Sequence, residues 1–168
     1  MIEMSVPGMD LAALVADAVA VGLSVSTAES LTGGLLAATI VDVAGASGMF
    51  NGGVIAYQND VKVSALGVPA ELLAERGAVD AQVACAMALG ACRVTGSRVG
   101  LSTTGVAGPE PHQGKEVGQV FIGVAIDGEV QAYDYRFGGD RAMIRRQAVD
   151  EAIALLRQVV TAAREQKL

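Results

Sequence analysis

The chain has no tryptophan, one histidine, two cysteines and only three lysines among 168 residues. Each shortage excludes a chemistry. A Ser-His-Asp triad would have to use His112, which sits in a Gly/Pro loop with no orienting partner near it in sequence; the histidine reads as solvated. Cys85 and Cys92 are seven residues apart in a helical pattern. On a helix that is a rise of about 10 Å, too far for a disulfide. Both read as small core residues in a reducing compartment. No cluster of His, Cys or carboxylates has metal-ligand spacing, so no metal is expected. No segment approaches the roughly 20 unbroken apolar residues of a membrane helix. Met1 to Asp10 carries Glu3 and Asp10 but no Lys or Arg, unlike the basic start of a secretory signal. These readings place the protein in the cytoplasm, away from membranes. The formal net charge of −6 argues against a general nucleic-acid binder, because phosphate neutralisation needs a basic surface.

What is present points to an ordinary globular domain. Hydrophobic residues make up 52% but aromatics only 4%, so the core must be built from Ala, Val, Leu and Ile. The 21 glycines imply tight turns or close backbone approaches. The length suits one domain spanning 1–168.

Helical periodicity runs from about Met9 to Val21, between a candidate N-cap, Asp10, and a candidate stop, Gly22. Ser24 to Thr27 is β-leaning and delivers the chain to Glu29 and Ser30. A second helix is expected from Leu35 to about Val43, then a turn at Gly45 to Gly48. Gly53 to Tyr57 reads as a strand, and Asn59 to Leu66 as a short helix carrying Lys62. Pro69 opens another helical turn. Asp80 caps an Ala-rich helix that reaches about Thr95 and stops at Gly96. Strands follow at Val99 to Thr104, Val117 to Ile126 and Val130 to Phe137, the last two joined by the hairpin signal Asp127-Gly128. Asp140 caps a final helix over about Arg141 to Arg164. Early strand–helix alternation with a late hairpin predicts a three-layer α/β/α fold with a mixed sheet of about five or six strands.

The chemistry has few places to reside. Gly108 to Lys115 is not a P-loop: its spacing is one residue too long, it holds two prolines, and Glu116 stands where Ser or Thr is required. The G-x-S-x-G elbow is absent around Ser30. What remains is Thr27-Ala28-Glu29-Ser30-Leu31-Thr32-Gly33-Gly34, between a strand and a helix. Backbone N–H groups at a helix start can hold an oxyanion, and two glycines let a substrate approach. On the residues alone, Ser30 and Thr32 serve equally well as N-caps and the glycines as a tight turn. A serine nucleophile needs a base. Lys167 is next to last and Lys115 lies in a flexible loop, which leaves Lys62 in the most structured setting. It can act as a base where burial or nearby positive charge lowers its pKa; otherwise it is an exposed lysine paired with a carboxylate. Thr104-Gly105 ends a strand at a usual place for ligand contacts. Arg141 opens a helix and can clamp a phosphate or carboxylate, with Arg145 assisting one turn on, or both can belong to a solvated face.

Taken together these segments resemble a known family. They are Thr27 to Ser30 with Thr32-Gly33-Gly34, Gly53 to Tyr57 with Asn59 and Lys62, Gly77-Ala78-Val79, Thr104 to Pro109, Val117-Gly118 and Gly139-Asp140-Arg141. The pattern is similar to the C-terminal domain of the competence/damage-inducible protein CinA and its stand-alone relatives, over about Leu11 to Leu156. The resemblance implies a nicotinamide-nucleotide amidohydrolase, which turns nicotinamide mononucleotide into nicotinic acid mononucleotide and ammonia for NAD recycling. Carried over by motif, Ser30 is the nucleophile, Lys62 the base and Tyr57 an assisting hydroxyl. Thr32, Gly33, Gly34, Thr104, Gly105 and Arg141 become the expected substrate-binding residues, with oxyanion donors near Gly33 or Gly105. The partner is then a small molecule, with neither nucleic acid nor membrane involved, and the implied reaction needs no metal or organic cofactor. Self-association as a dimer is expected from the small residues of the Asp80 to Thr95 helix.

The sequence departs from the family pattern at Asp80 (usually Ser), at Leu31 (often Cys) and in Glu110-Pro111-His112-Gln113, where paired glycines are usual. The altered loop bears on substrate preference. Two alternatives therefore stand beside the nucleotide amidase: an amidase for another small amide, and a non-catalytic module that binds a ligand or partner.

Overall fold

The computed structural model describes residues 10–166. The first strand, β1 (Val25–Glu29), is buried along its whole length and lies at the centre of the parallel part of a five-stranded sheet. The order is β2-β1-β3-β4-β5, with β2 at Phe50–Ile55, β3 at Val99–Gly105, β4 at Gln119–Ile126 and β5 at Glu129–Arg136. β1 pairs in parallel with β2 and β3, whereas β3–β4 and β4–β5 are antiparallel. The sheet is therefore mixed, as expected, and the antiparallel half follows from the hairpin at Asp127 and Gly128. Both have positive φ (48° and 92°), the combination a tight two-residue turn requires.

Among the described residues six α-helices cover the two faces. On one lie α1 (Leu11–Val21), α2 (Leu35–Val41) and α6 (Arg141–Glu165); on the other, α3 (Asn59–Ser64), α4 (Ala70–Arg76) and α5 (Ala81–Thr95). The sequence caps are real. The side chains of Asp10, Asp80 and Asp140 accept amide hydrogens of α1, α5 and α6, and Gly22 and Gly96 end α1 and α5 in the left-handed region. The expectation that the first helix begins at Met9 lies outside the described residues. Among the described residues, no helix is long and apolar enough to cross a membrane.

Three readings need correction. β1 runs on past the expected Thr27 to Glu29, so Glu29 is itself a buried strand residue. β2 begins at Phe50 instead of Gly53, because Phe50 already pairs with Val25 across a bulge. Cys85 and Cys92 are half-buried and free on α5 rather than fully in the core. The small residues of α5 also have an internal use: a side chain at Gly100 or Gly123 would run into the backbone carbonyls of Ala88 and Ala84. These close approaches let the helix lie against β3 and β4.

Candidate active site

Alternation along β1 places Glu29 and Ser30 on opposite faces of the sheet. Val25 packs with the α1/α2/α6 core and Ala28 with the α3/α4/α5 core. Glu29 thus falls on the α2 side and Ser30, the next residue, faces α3. The Ser30 N–H donates to the Thr103 carbonyl at 2.9 Å, which continues the parallel pairing one residue past the strand.

Ser30 opens on a cavity of about 490 Å³, within the usual range for a small-molecule site. It lies beyond the carboxyl ends of β1, β2 and β3, where the chain leaves β1 toward neighbours on either side. That is the topological switch point of an open α/β sheet. Leu31, Tyr57, Lys62, Thr104, Gly105 and Arg141 also line it.

Lys62 enters from α3 and is only 1% exposed. Its Nζ donates to Ser30 Oγ at 3.0 Å, to the Ala56 carbonyl at 2.8 Å and to the Tyr57 carbonyl at 3.2 Å. Among the described residues no carboxylate forms an ion pair with it. Burial pushes the amine down from 10.5 to about 8. Nζ thus faces three oxygens; once the amine is neutral, two N–H bonds can serve the carbonyls and the lone pair can face the serine hydroxyl.

Other expected residues are arranged differently from their sequence reading. Tyr57 contributes its backbone carbonyl to Lys62, while its hydroxyl, on a residue 54% exposed, accepts from Arg141 at 2.8 Å. The other Arg141 nitrogen donates to the Gly108 carbonyl at 2.7 Å, so Arg141 ties two sides of the cavity mouth. Thr104 Oγ1 donates to the Ala78 carbonyl at 2.6 Å. Thr32, Gly33 and Gly34 do not reach the cavity wall. The Gly33 N–H closes a turn on the Ser30 carbonyl at 3.2 Å and is not directed at a substrate. Arg145 is likewise no phosphate clamp, since it donates to the Leu31 and Thr32 carbonyls at 2.9 and 2.8 Å.

Nor does the start of α2 face the cavity. The buried Glu29 side chain accepts from the amides of Leu36 (2.8 Å) and Ala37 (3.0 Å) and from Thr32 Oγ1 (2.7 Å). The pattern reading passed over Glu29; its signal is an acid at an inward position of an otherwise buried strand. It also passed over Gln113, whose side chain accepts from the Ala78 amide at 3.1 Å and fastens the 108–114 loop as a wall of the cavity. That loop brings His112 and Glu110 to the lining, where His112 stays exposed to solvent as expected. Among the described residues no group of three or more His, Cys, Asp or Glu is placed to hold a metal.

The model of the CinA C-terminal domain matches residues 10–160. The chain belongs to the CinA C-terminal domain family. A CinA-like protein of Frankia casuarinae is 47% identical over 137 residues, which cover 82% of this chain and 32% of that protein. A CinA-like protein of Dictyoglomus turgidum is 46% identical over 138 residues, covering 82% and 34%. The chain thus spans about a third of the length of these curated relatives. Among solved structures, a competence/damage inducible protein from Agrobacterium tumefaciens is 37% identical with a TM-score of 0.84, covering 90% of this chain and 93% of that one. A CinA superfamily protein from Klebsiella pneumoniae is 30% identical with a TM-score of 0.86, covering 92% and 99%. These likenesses extend to the whole α/β/α architecture.

Proposed function

We propose that this CinA domain is a Ser/Lys amidohydrolase acting on the carboxamide of nicotinamide mononucleotide. The observation that carries the reading is the 3.0 Å contact between Lys62 Nζ and Ser30 Oγ in a buried setting that favours the neutral amine. Ser30 Oγ attacks the amide carbon while Lys62 takes its proton. The same amine then delivers the proton to the departing nitrogen, releasing ammonia and leaving an ester on Ser30. Water, activated by Lys62, hydrolyses the ester to nicotinic acid mononucleotide and regenerates the serine.

The developing oxyanion needs donors. Leu31 lines the cavity, and its N–H makes no hydrogen bond among the described residues. It follows the nucleophile directly, which makes it our candidate in place of Gly33, with the Gly105 end of β3 opposite. Arg141 at the mouth is the candidate for the 5′-phosphate. A cytoplasmic location is part of the same proposal. The dimer expected from the small residues of α5 also remains a proposal.

The test is ammonia release from nicotinamide mononucleotide by the wild type, Ser30→Ala and Lys62→Ala. Turnover lost in both variants supports the reading. An inert wild type overturns the substrate assignment, and a thermal-shift series with pyridine nucleotides then separates another amidase from a binding module.

A further inference from the structure

We infer that Glu29 is the positioning residue of the nucleophile: its buried side chain anchors the 30–37 turn and so holds Ser30 Oγ against Lys62. This rests on the Ser/Lys reading above. Glu29 is 1% exposed and lies on the face of the sheet away from the cavity, so it does not touch the reacting atoms. It acts only as an acceptor. Oε1 takes the Leu36 amide and Thr32 Oγ1, and Oε2 takes the Ala37 amide and, at 3.4 Å, Thr27 Oγ1. Two of these donors are the first free amides of α2, whose own N-cap residue, Gly34, offers no side chain. Thr32 carries the connection further, with its hydroxyl 2.7 Å from that of Thr103. Thr103 in turn holds the Ser30 N–H through its carbonyl. The chain on both sides of Ser30 is thereby fastened to one carboxyl group and one strand.

An acceptor-only site makes Glu29→Gln a sharp probe. Each carboxyl oxygen receives one α2 amide, so either orientation of a glutamine sets its NH₂ against a helix N–H. One anchor is lost whichever way the amide turns. A displacement near 1 Å at a nucleophile costs on the order of a hundredfold; we expect a loss of at least about tenfold for this partial release.

The readout is covalent labelling of Ser30 by phenylmethylsulfonyl fluoride, followed by intact mass against pH, with kcat and KM for ammonia release beside it. For Glu29→Gln we expect the labelling plateau to fall at least about tenfold with its pH midpoint unmoved, and kcat to fall with KM little changed. A global loss of stability alone would leave the labelling rate of the folded protein intact. Thr32→Val, which removes the link to Thr103 and keeps its shape, serves if the glutamine variant fails to fold, and should lower the plateau severalfold. Wild-type plateaus in the folded variants overturn the inference, as does a displaced midpoint, which would mean that Glu29 acts through its charge. A wild type that is not labelled at Ser30 overturns the dyad itself, a separate failure.

Discussion

Lys62 Nζ stands 3.0 Å from Ser30 Oγ, on a side chain that is almost completely buried and has no carboxylate to balance it among the described residues. An amine in such a place is held by backbone carbonyls and the serine alone. It resists protonation because its charged form is poorly solvated.

The first prediction concerns that pair. Lys62→Ala and Ser30→Ala should each lower amidase kcat at least about a hundredfold, with the double variant little worse than either, because the two act as a unit. Lys62→Arg should be equally inactive, since a guanidinium is never neutral at accessible pH. Steady-state ammonia release decides this.

The second follows from the sign of the lysine shift. A base must be neutral to accept a proton, so kcat/KM should rise with pH and level off above about pH 8. Stability moves the same way. Below pH 8 Lys62 is charged in both folded and unfolded chains and its burial opposes folding. Between about 8 and 10.5 the folded chain releases the proton and the unfolded chain retains it, so the opposition fades. Urea midpoints should therefore rise for the wild type relative to Lys62→Met across that window. A constant difference would contradict the buried, low-pKa lysine.

The third separates Tyr57 from Arg141. Their hydroxyl–guanidinium contact at 2.8 Å gives the tyrosine hydroxyl a partner other than Ser30 or Lys62. Tyr57→Phe should change kcat only a few fold, because the backbone carbonyl that holds Lys62 remains. Arg141→Ala should raise KM for the phosphorylated substrate by about tenfold, the scale of a charge-assisted hydrogen bond, and leave KM for the uncharged nicotinamide riboside nearly unchanged. Equal effects on both substrates would remove Arg141 from the phosphate role.

The fourth is structural. A Cβ at Gly123 would lie 2.7 Å from the Ala84 carbonyl carbon and 2.5 Å from Ser102 Oγ, because α5 runs directly over β4 there. Gly123→Ala should cost about 1–3 kcal/mol, the usual range for overpacking a tight core. The shift of the urea midpoint measures it.

Much of this protein was legible in one dimension. Asp10, Asp80, Asp140, Gly22, Gly96 and the Asp127-Gly128 turn act within a few residues of themselves, so local chemistry was enough to mark the helix ends and the hairpin. Alternating strands and helices implied the mixed α/β/α sheet, and the quoted motifs led to the family. Three-dimensional contact decided the rest. Lys62 comes to Ser30 across 32 positions of sequence, and only burial in the folded chain lowers its pKa. Glu29 meets the α2 amides because alternation along β1 turns it away from Ser30, and this occupies the helix start that sequence had offered to the oxyanion. The Tyr57 hydroxyl meets Arg141 across 84 positions, and Gln113 meets Ala78 across 35. No local pattern encodes such pairs, because their partners are set by strand order and helix packing. The residue types at the site were determined by the sequence; which atom of each faces the cavity was decided by the tertiary structure.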